Sequence, residues 1–341
     1  MLRKSLLLLS GVSVLALSAC SGVKHSVDEY ILKLDIPASG DFRILQLTDI
    51  HLGDKDNLQK HFDFMDLTVK DSNPNFIVVT GDLFTFASKT TADRFFKYLD
   101  SKGVPWTVTY GNHDEQCYFS VDWLTSKLNK GYKNCVFKDI QDDDVQGNAN
   151  FAINLMRGDK IFEQLIVMDS NRYYYGQYFG YDFFKQNQID WYADLVDTTA
   201  KQNGGKVVKS LMFYHIPLPE IEKAWNYETN TFAEGTTVKF ANQGKDGKEA
   251  KGEKTCNPDP AYAPDFFKVI HDKGSTTGMY FGHDHYNDFI VNYEGIDFAY
   301  GIKGTDRIYF QDDMMGGRTI VLHEDNSVDY EHHFHTYEEV K

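Results

Sequence analysis

Cysteine is scarce in this 341-residue chain, with four residues and no pair at C-x-x-C spacing, so neither a disulfide-built miniature nor a zinc knuckle fits. Positive charge is short as well: 35 Lys and Arg stand against 50 Asp and Glu, a formal net charge of −15. The cations form no cluster that could track a phosphate backbone, which argues against a nucleic-acid-binding surface. An anionic substrate must then be drawn in by local positive charge, such as metal ions. The apolar run from Leu6 to Leu17 is too short to span a hydrocarbon core, which needs ~20 residues. No internal repeat or heptad pattern is visible. What remains is 42% hydrophobic and 25% charged, the balance of a globular protein with a full core, and one large domain is the simplest reading.

The amino terminus reads separately. Arg3 and Lys4 precede the apolar run, and Leu17-Ser18-Ala19-Cys20 closes it, so residues 1–19 are expected to be an export signal rather than a fold element. The small residues before Cys20 resemble the lipobox of bacterial lipoproteins, which implies cleavage there and lipid on the Cys20 sulfur. Residues 20–28 would be the lipidated cysteine and a polar tether. The protein would then be membrane-anchored in the bacterial cell envelope, facing away from the cytoplasm. Cys117, Cys135 and Cys256 are left, an odd number in a compartment that permits disulfides, so at most one intramolecular pair forms.

Apolar and polar alternation predicts strands over residues 30–36, 42–47, 76–80, 106–110, 151–155, 162–168, 207–214 and 277–281. Helical patterns lie between them at 58–71, 91–102, 120–130, 186–200 and 264–273, and strand-only segments follow at 289–293, 298–300, 319–323 and 327–333. Alternating strands and helices that give way to strands predict an α/β (α+β) sandwich over residues 29–341. It is interrupted by an irregular insertion at about 226–263, rich in Gly, Lys, Asn and Thr, expected to be a lid or a substrate-contacting segment.

Five short motifs carry the chemistry, each after an apolar, β-prone run: Asp49-Ile50-His51, Gly81-Asp82, Gly111-Asn112-His113-Asp114, His215 in Tyr214-His215-Ile216-Pro217, and Gly282-His283-Asp284-His285. In open α/β sheets ligands bind at the carboxyl ends of strands, so Asp49, Asp82, Asn112 and His215 are expected to converge on one edge. Any one of these is ordinary turn chemistry by itself; together they form a ligand set. Carboxylate, amide oxygen and imidazole in this mixture suit Fe, Zn or Mn rather than Ca or Mg.

In order and spacing the five motifs resemble the calcineurin-like metallophosphoesterase superfamily, which includes the purple acid phosphatases, from Phe42 to about Gly301. Asn134-Cys135-Val136-Phe137, His215-Ile216-Pro217-Leu218-Pro219-Glu220 and His285-Tyr286-Asn287-Asp288-Phe289 are similar to a narrower branch of small purple-acid-phosphatase homologues. The resemblance implies a four-layer αββα sandwich of two mixed sheets flanked by helices. It implies two metal ions, one held by Asp49, His51, Asp82 and His285 and the other by Asp82, Asn112, His215 and His283, with Asp82 as the bridge. A purple acid phosphatase has a metal-binding tyrosine three residues after the bridging aspartate; Thr85 stands there, so the tyrosinate colour is expected to be absent. The reaction implied is attack by a metal-bridging hydroxide on a phosphomonoester. His113 would act as acid or transition-state stabiliser, and Asp114 would orient His113 or cap the following turn.

Arg172 is a phosphate-binding candidate beside Asn112 and His113, and Tyr173-Tyr174-Tyr175 would line a pocket or pack on the sandwich. His332, His333 and His335 are read as a solvated terminal strand, since only His333 and His335 share a face, and Asp142-Asp143-Asp144 as a solvated turn. The expected substrate is a small phosphoester or a phosphorylated protein segment. The alternatives are a phosphodiesterase of nucleotides or cyclic nucleotides, and a non-catalytic ligand-binding surface lipoprotein.

Overall fold

Strands that end in a glycine or a polar residue recur along the chain, and those tips meet at one edge of two sheets. The computed structural model describes residues 25–140, 144–175, 179–226, 229, 231–241, 255 and 264–340. The export signal, Cys20, Cys256, Asp142, Asp143 and most of the insertion lie outside the described residues.

In chain order the first elements are β1 (Ile31–Asp35), β2 (Phe42–Leu47), α1 (Leu58–Ser72), β3 (Phe76–Thr80), α2 (Lys89–Ser101), β4 (Trp106–Thr109) and α3 (Val121–Asn129). Then come β5 (Phe151–Arg157), β6 (Lys160–Val167), β7 (Tyr173–Tyr175), β8 (Phe179–Tyr181), α4 (Gln186–Gln202) and β9 (Ser210–Phe213). The last are β10 (Trp225–Asn226), β11 (Thr231–Phe232), β12 (Thr237–Phe240), α5 (Phe266–Lys273), β13 (Thr276–Phe281), β14 (Ile290–Tyr293), β15 (Ile296–Tyr300), β16 (Met315–Leu322) and β17 (Val328–His335). Side-chain caps start four of the helices: Asn57, Ser88, Ser120 and Asp265 each accept from a backbone N–H one turn on.

One sheet has five strands in the order β17-β16-β2-β3-β4, the other eight in the order β1-β5-β6-β9-β13-β15-β14-β12. Both are mixed. The pairs β2/β3 and β3/β4 are parallel while β16/β2 is antiparallel, and β6, β9, β13 and β15 are parallel neighbours beside antiparallel β5/β6 and β14/β15.

Side-chain alternation fixes the layers. Ile153, Leu155, Leu165, Val167, Leu211 and Phe213 of the larger sheet share a core with the smaller sheet and with α1 to α3. The intervening Ala152, Ile166, Met168, Met212 and Tyr214 face the other way and pack with Trp191 and Leu195 of α4 and Phe266 and Ile270 of α5. The result is the expected four-layer αββα sandwich. Arg318 of β16, fully buried, ties the sheets by donating to the carbonyls of Tyr300 and Asp288.

One expectation needs correction. The histidine-rich tail is the edge strand β17, half-buried beside α1; His332 stacks on Phe240 at 3.5 Å between ring centroids, and His335 is buried. The described part of the insertion includes β12, which extends the larger sheet against β14. Tyr173–Tyr175 and Phe179–Tyr181 form a separate two-stranded ribbon. Cys117 and Cys135 are free thiols. No described helix is long and apolar enough to cross a membrane.

Candidate metal centre

The tips of β2 and β3 are stitched together beyond their last residues: Asp49 N–H donates to the Gly81 carbonyl (3.2 Å) and His51 N–H to that of Asp82 (2.9 Å). The chain turns sharply there. Asp49, His51, Asp82 and His283 all hold left-handed φ angles, 53°, 52°, 49° and 82°. Such a conformation costs a non-glycine residue ~1–3 kcal/mol and persists only where the surroundings over-determine it. A simple strand extension would not bring Asp49 and His51 to one point; two left-handed residues do. Close approach also explains two motif glycines, since a Cβ at Gly111 would land 2.2 Å from Asp82 Oδ1 and one at Gly81 2.5 Å from His215 Cγ.

Asp49, His51, Asp82 and His285 each offer one ligand atom, and the four atoms lie within 4.8 Å of one another, all buried. His51 Nε2 is 3.0 Å from His285 Nε2 and 3.5 Å from Asp82 Oδ2, while His285 Nε2 is 3.4 Å from Asp49 Oδ1. The far nitrogens are occupied. His285 Nδ1 donates to the Tyr309 carbonyl (2.7 Å), and His51 Nδ1 pairs with Thr85 Oγ1 (2.8 Å). Both histidines therefore aim Nε2 inward. Thr85, noted in the sequence as a missing tyrosine, serves here as the partner of a ligand histidine.

The remaining donors lie on the other side of Asp82. His215 Nε2 is 3.2 Å from Asp82 Oδ2, and its Nδ1 donates to the Thr80 carbonyl (2.8 Å), a bond that joins the two sheets. Asn112 Oδ1 is 3.0 Å from His283 Nδ1, and Asn112 Nδ2 donates to the Tyr173 hydroxyl (3.0 Å). Tyr181 stands edge-on to the His283 ring at 4.3 Å. The Tyr173–Tyr181 ribbon thus touches both Asn112 and His283.

The electrostatics suit a cation. Burial opposes ionisation of Asp82 and Asp49, yet His215 and His51 around the former, and His285 beside the latter, hold both carboxylates below their usual range. Burial, then the Lys303 charge, push His51 and His285 down, which keeps their nitrogen lone pairs available. His215 is raised to about 10: burial works against this, and the Asp82 carboxylate outweighs it. Two buried carboxylates with four imidazoles around them and an amide oxygen adjacent form a donor set that fits a transition-metal ion.

His113 and Asp114 separate in role. Asp114 is fully buried and spends its oxygens on the backbone amides of Phe84 (3.0 Å) and Gly111 (2.8 Å), so it caps the turn rather than orienting His113. Burial, then nearby Asp82, raise its carboxyl to about 7. Gln116 takes the orienting position, with Oε1 2.8 Å from His113 Nδ1. The His113 ring stands edge-on to His51 at 4.9 Å, and its backbone N–H holds Asp82 Oδ1 at 2.8 Å. Arg172 Nη2 lies 3.5 Å from Asp169 Oδ2 and donates to Asn148 Oδ1 (3.3 Å).

Lys303 escaped the sequence reading altogether. It is buried beneath the first four donors, donates to the Asp49 carbonyl, and is pushed by burial down to about 7. No motif marks it. Gln116 did leave a signal, lying three residues after His113, which faces it across the single turn Asp114–Gln116.

The profile of the calcineurin-like phosphoesterase family matches residues 42–301. Among curated relatives, probable inactive purple acid phosphatase 29 of Arabidopsis thaliana is 26% identical over 307 residues, covering 79% of this chain and 73% of the relative. Phosphatase DCR2 of Saccharomyces cerevisiae is 26% identical over 292 residues, 78% of this chain and 47% of the relative. A solved dimetal phosphatase from Danio rerio aligns over 82% of this chain and 95% of its own, at 13% identity and a TM-score of 0.47.

Proposed function

Because the chain belongs to the calcineurin-like phosphoesterase family, we propose that it is an exported metal-dependent phosphohydrolase cleaving phosphomonoesters. The observation that carries this reading is the gathering of Asp49, His51, Asp82 and His285 within 4.8 Å. Those four residues would hold one ion of Fe, Zn or Mn, and Asp82, Asn112, His215 and His283 a second. Bound there, such a pair lowers the pKa of water and offsets charge on the phosphoryl group. Several Arabidopsis relatives are named probable inactive enzymes. All seven donor residues are retained in the sequence of this chain, which favours catalysis over a purely ligand-binding role.

The protein's own groups do the positioning. His113 N–H fixes one oxygen of Asp82 and so turns the other toward His51 and His215. With Nδ1 engaged by Gln116, His113 presents Nε2 to the substrate, where it donates to a phosphoryl oxygen or to the departing one. The acidic chain favours a small phosphoester or a phosphorylated protein segment over a polyanion. Export and attachment to the outer face of a membrane rest on Arg3, Lys4 and the segment ending in Cys20; labelled palmitate retained after Cys20→Ala would rule the anchor out.

The test is turnover of p-nitrophenyl phosphate and bis-p-nitrophenyl phosphate by protein loaded separately with manganese, zinc and iron. Monoester hydrolysis that falls ~10²-fold in His113→Ala supports the reading. Preference for the diester would promote a phosphodiesterase, and no turnover of either ester with any metal would leave a ligand-binding lipoprotein.

A further inference from the structure

Six large hydrophobic side chains are exposed among the described residues: Phe86, Tyr118, Tyr175, Val207, Val238 and Ile308. Four of them lie within two residues of a side chain that contacts a metal donor or His113: Tyr175, two residues beyond Tyr173, and Phe86, Ile308 and Tyr118. Phe86 follows Thr85, the partner of His51, and its ring is 59% exposed. Ile308 precedes Tyr309, whose ring stacks on His285 at 3.9 Å, and is 44% exposed. Tyr118, 70% exposed, lies two residues beyond Gln116, the partner of His113, and its N–H donates to the Ala87 carbonyl (2.9 Å), which sets it beside Phe86.

Backbone conformation sets these positions apart from scattered surface residues. Phe86 and Ile308 both hold left-handed φ angles, 53° and 67°. A bulky or β-branched residue is rarely left-handed, and neither gains burial in return. Strain spent on holding an apolar side chain in water, twice, next to a metal-donor histidine's partner, points to a bound state in which those side chains are covered.

We propose that Phe86 and Tyr118, on the His113 side of the centre, form a subsite for a flat aromatic leaving group, with Ile308 closing the mouth on the His285 side. The substrate class is thus an aryl or aryl-methyl phosphate ester. This rests on the phosphoester reading above. His113 is the group placed to meet the departing oxygen, so a ring attached to that oxygen extends toward the turn that carries its partner Gln116 and, two residues on, Tyr118. Stacking between aromatic faces favours a planar ring over a saturated one of equal size.

The test uses non-hydrolysable probes, so that it does not depend on turnover. Benzylphosphonate, cyclohexylmethylphosphonate and inorganic phosphate are titrated calorimetrically into the manganese-loaded full chain and into Phe86→Ala, Tyr118→Ala and the double variant. The expected result is an affinity for benzylphosphonate about tenfold above that for the saturated probe, lost in the double variant, with inorganic phosphate binding unchanged. Because Phe86 is strained and its replacement can disturb the turn, Tyr118→Ala alone must also reduce the preference. Equal affinities in the wild type, a preference that survives the double variant, or no binding of any probe overturns the proposal. A clear aryl preference in a protein that hydrolyses neither p-nitrophenyl ester leaves the subsite standing and removes the hydrolase reading instead.

Discussion

The two halves of the metal centre are built differently. Asp49, His51, Asp82 and His285 draw their ligand atoms within 4.8 Å, and the strand tips that carry them are laced to one another by backbone hydrogen bonds. Asn112 and His283 are steadied by a ribbon outside the main sheets, where Tyr173 holds the Asn112 amide and Tyr181 backs His283, while His215 is held by the Thr80 carbonyl of the smaller sheet. The first half inherits its shape from the sandwich, whereas the second takes His215 from the sandwich and rests Asn112 and His283 on a short excursion added to it. Asp82 is common to both, and its two oxygens are already divided, one to the His113 amide and one to the histidines.

The sharpest way to break this comparison is to remove what the halves share. Asp82→Asn is expected to lower phosphomonoester turnover on the order of 10³-fold, since several kcal/mol of charge stabilisation at tenfold per ~1.4 kcal/mol are lost. Metal analysis of the same variant should show both ions depleted; loss of one alone would mean that Asp82 does not bridge. Next in size, His285→Ala should cost the first ion and His215→Ala the second, so each variant retains about one equivalent of metal. Equal depletion of both ions by either variant would erase the distinction between the halves.

The smallest effects sharpen the contrast. Thr85→Val removes the partner of His51 Nδ1, and Tyr173→Phe removes the hydroxyl on Asn112. Each should weaken metal binding about tenfold, confined to its own half, as loss of a hydrogen bond behind a ligand commonly does. Competition with a chelating dye separates the two sites. The Tyr173→Phe effect should be partly masked if Tyr181 alone keeps His283 in place, which makes Tyr181→Leu the companion variant.

Much of this was legible before any coordinates. Helices 186–200 and 58–71 were readable because long amphipathic periods survive minor boundary error; the observed spans are Gln186–Gln202 and Leu58–Ser72. The ribbon Tyr173–Tyr181 was not, since three consecutive tyrosines alternate nothing. The strand β16 runs through Gly316-Gly317, which reads as a turn, and is nonetheless held between β2 and β17. Asp169 sits three residues before Arg172 in the sequence, and only folding brings their side chains within 3.5 Å.

The sequence by itself determined the donor set: carboxylates, imidazoles and an amide after apolar strands, because residue type and strand alternation are local properties that no packing can change. It determined Gly81 and Gly111 too, through the absence of a side chain where another strand must pass. Tertiary structure alone decided which atoms face one another. It decided the left-handed turns at Asp49, His51, Asp82 and His283, the assignment of Gln116 rather than Asp114 to His113, and the burial of Lys303 beneath Asp49. The left-handed turns and the burial of Lys303 depend on contacts between distant segments, up to 254 residues apart for Lys303 and Asp49, and a distance of that kind leaves no periodicity to read.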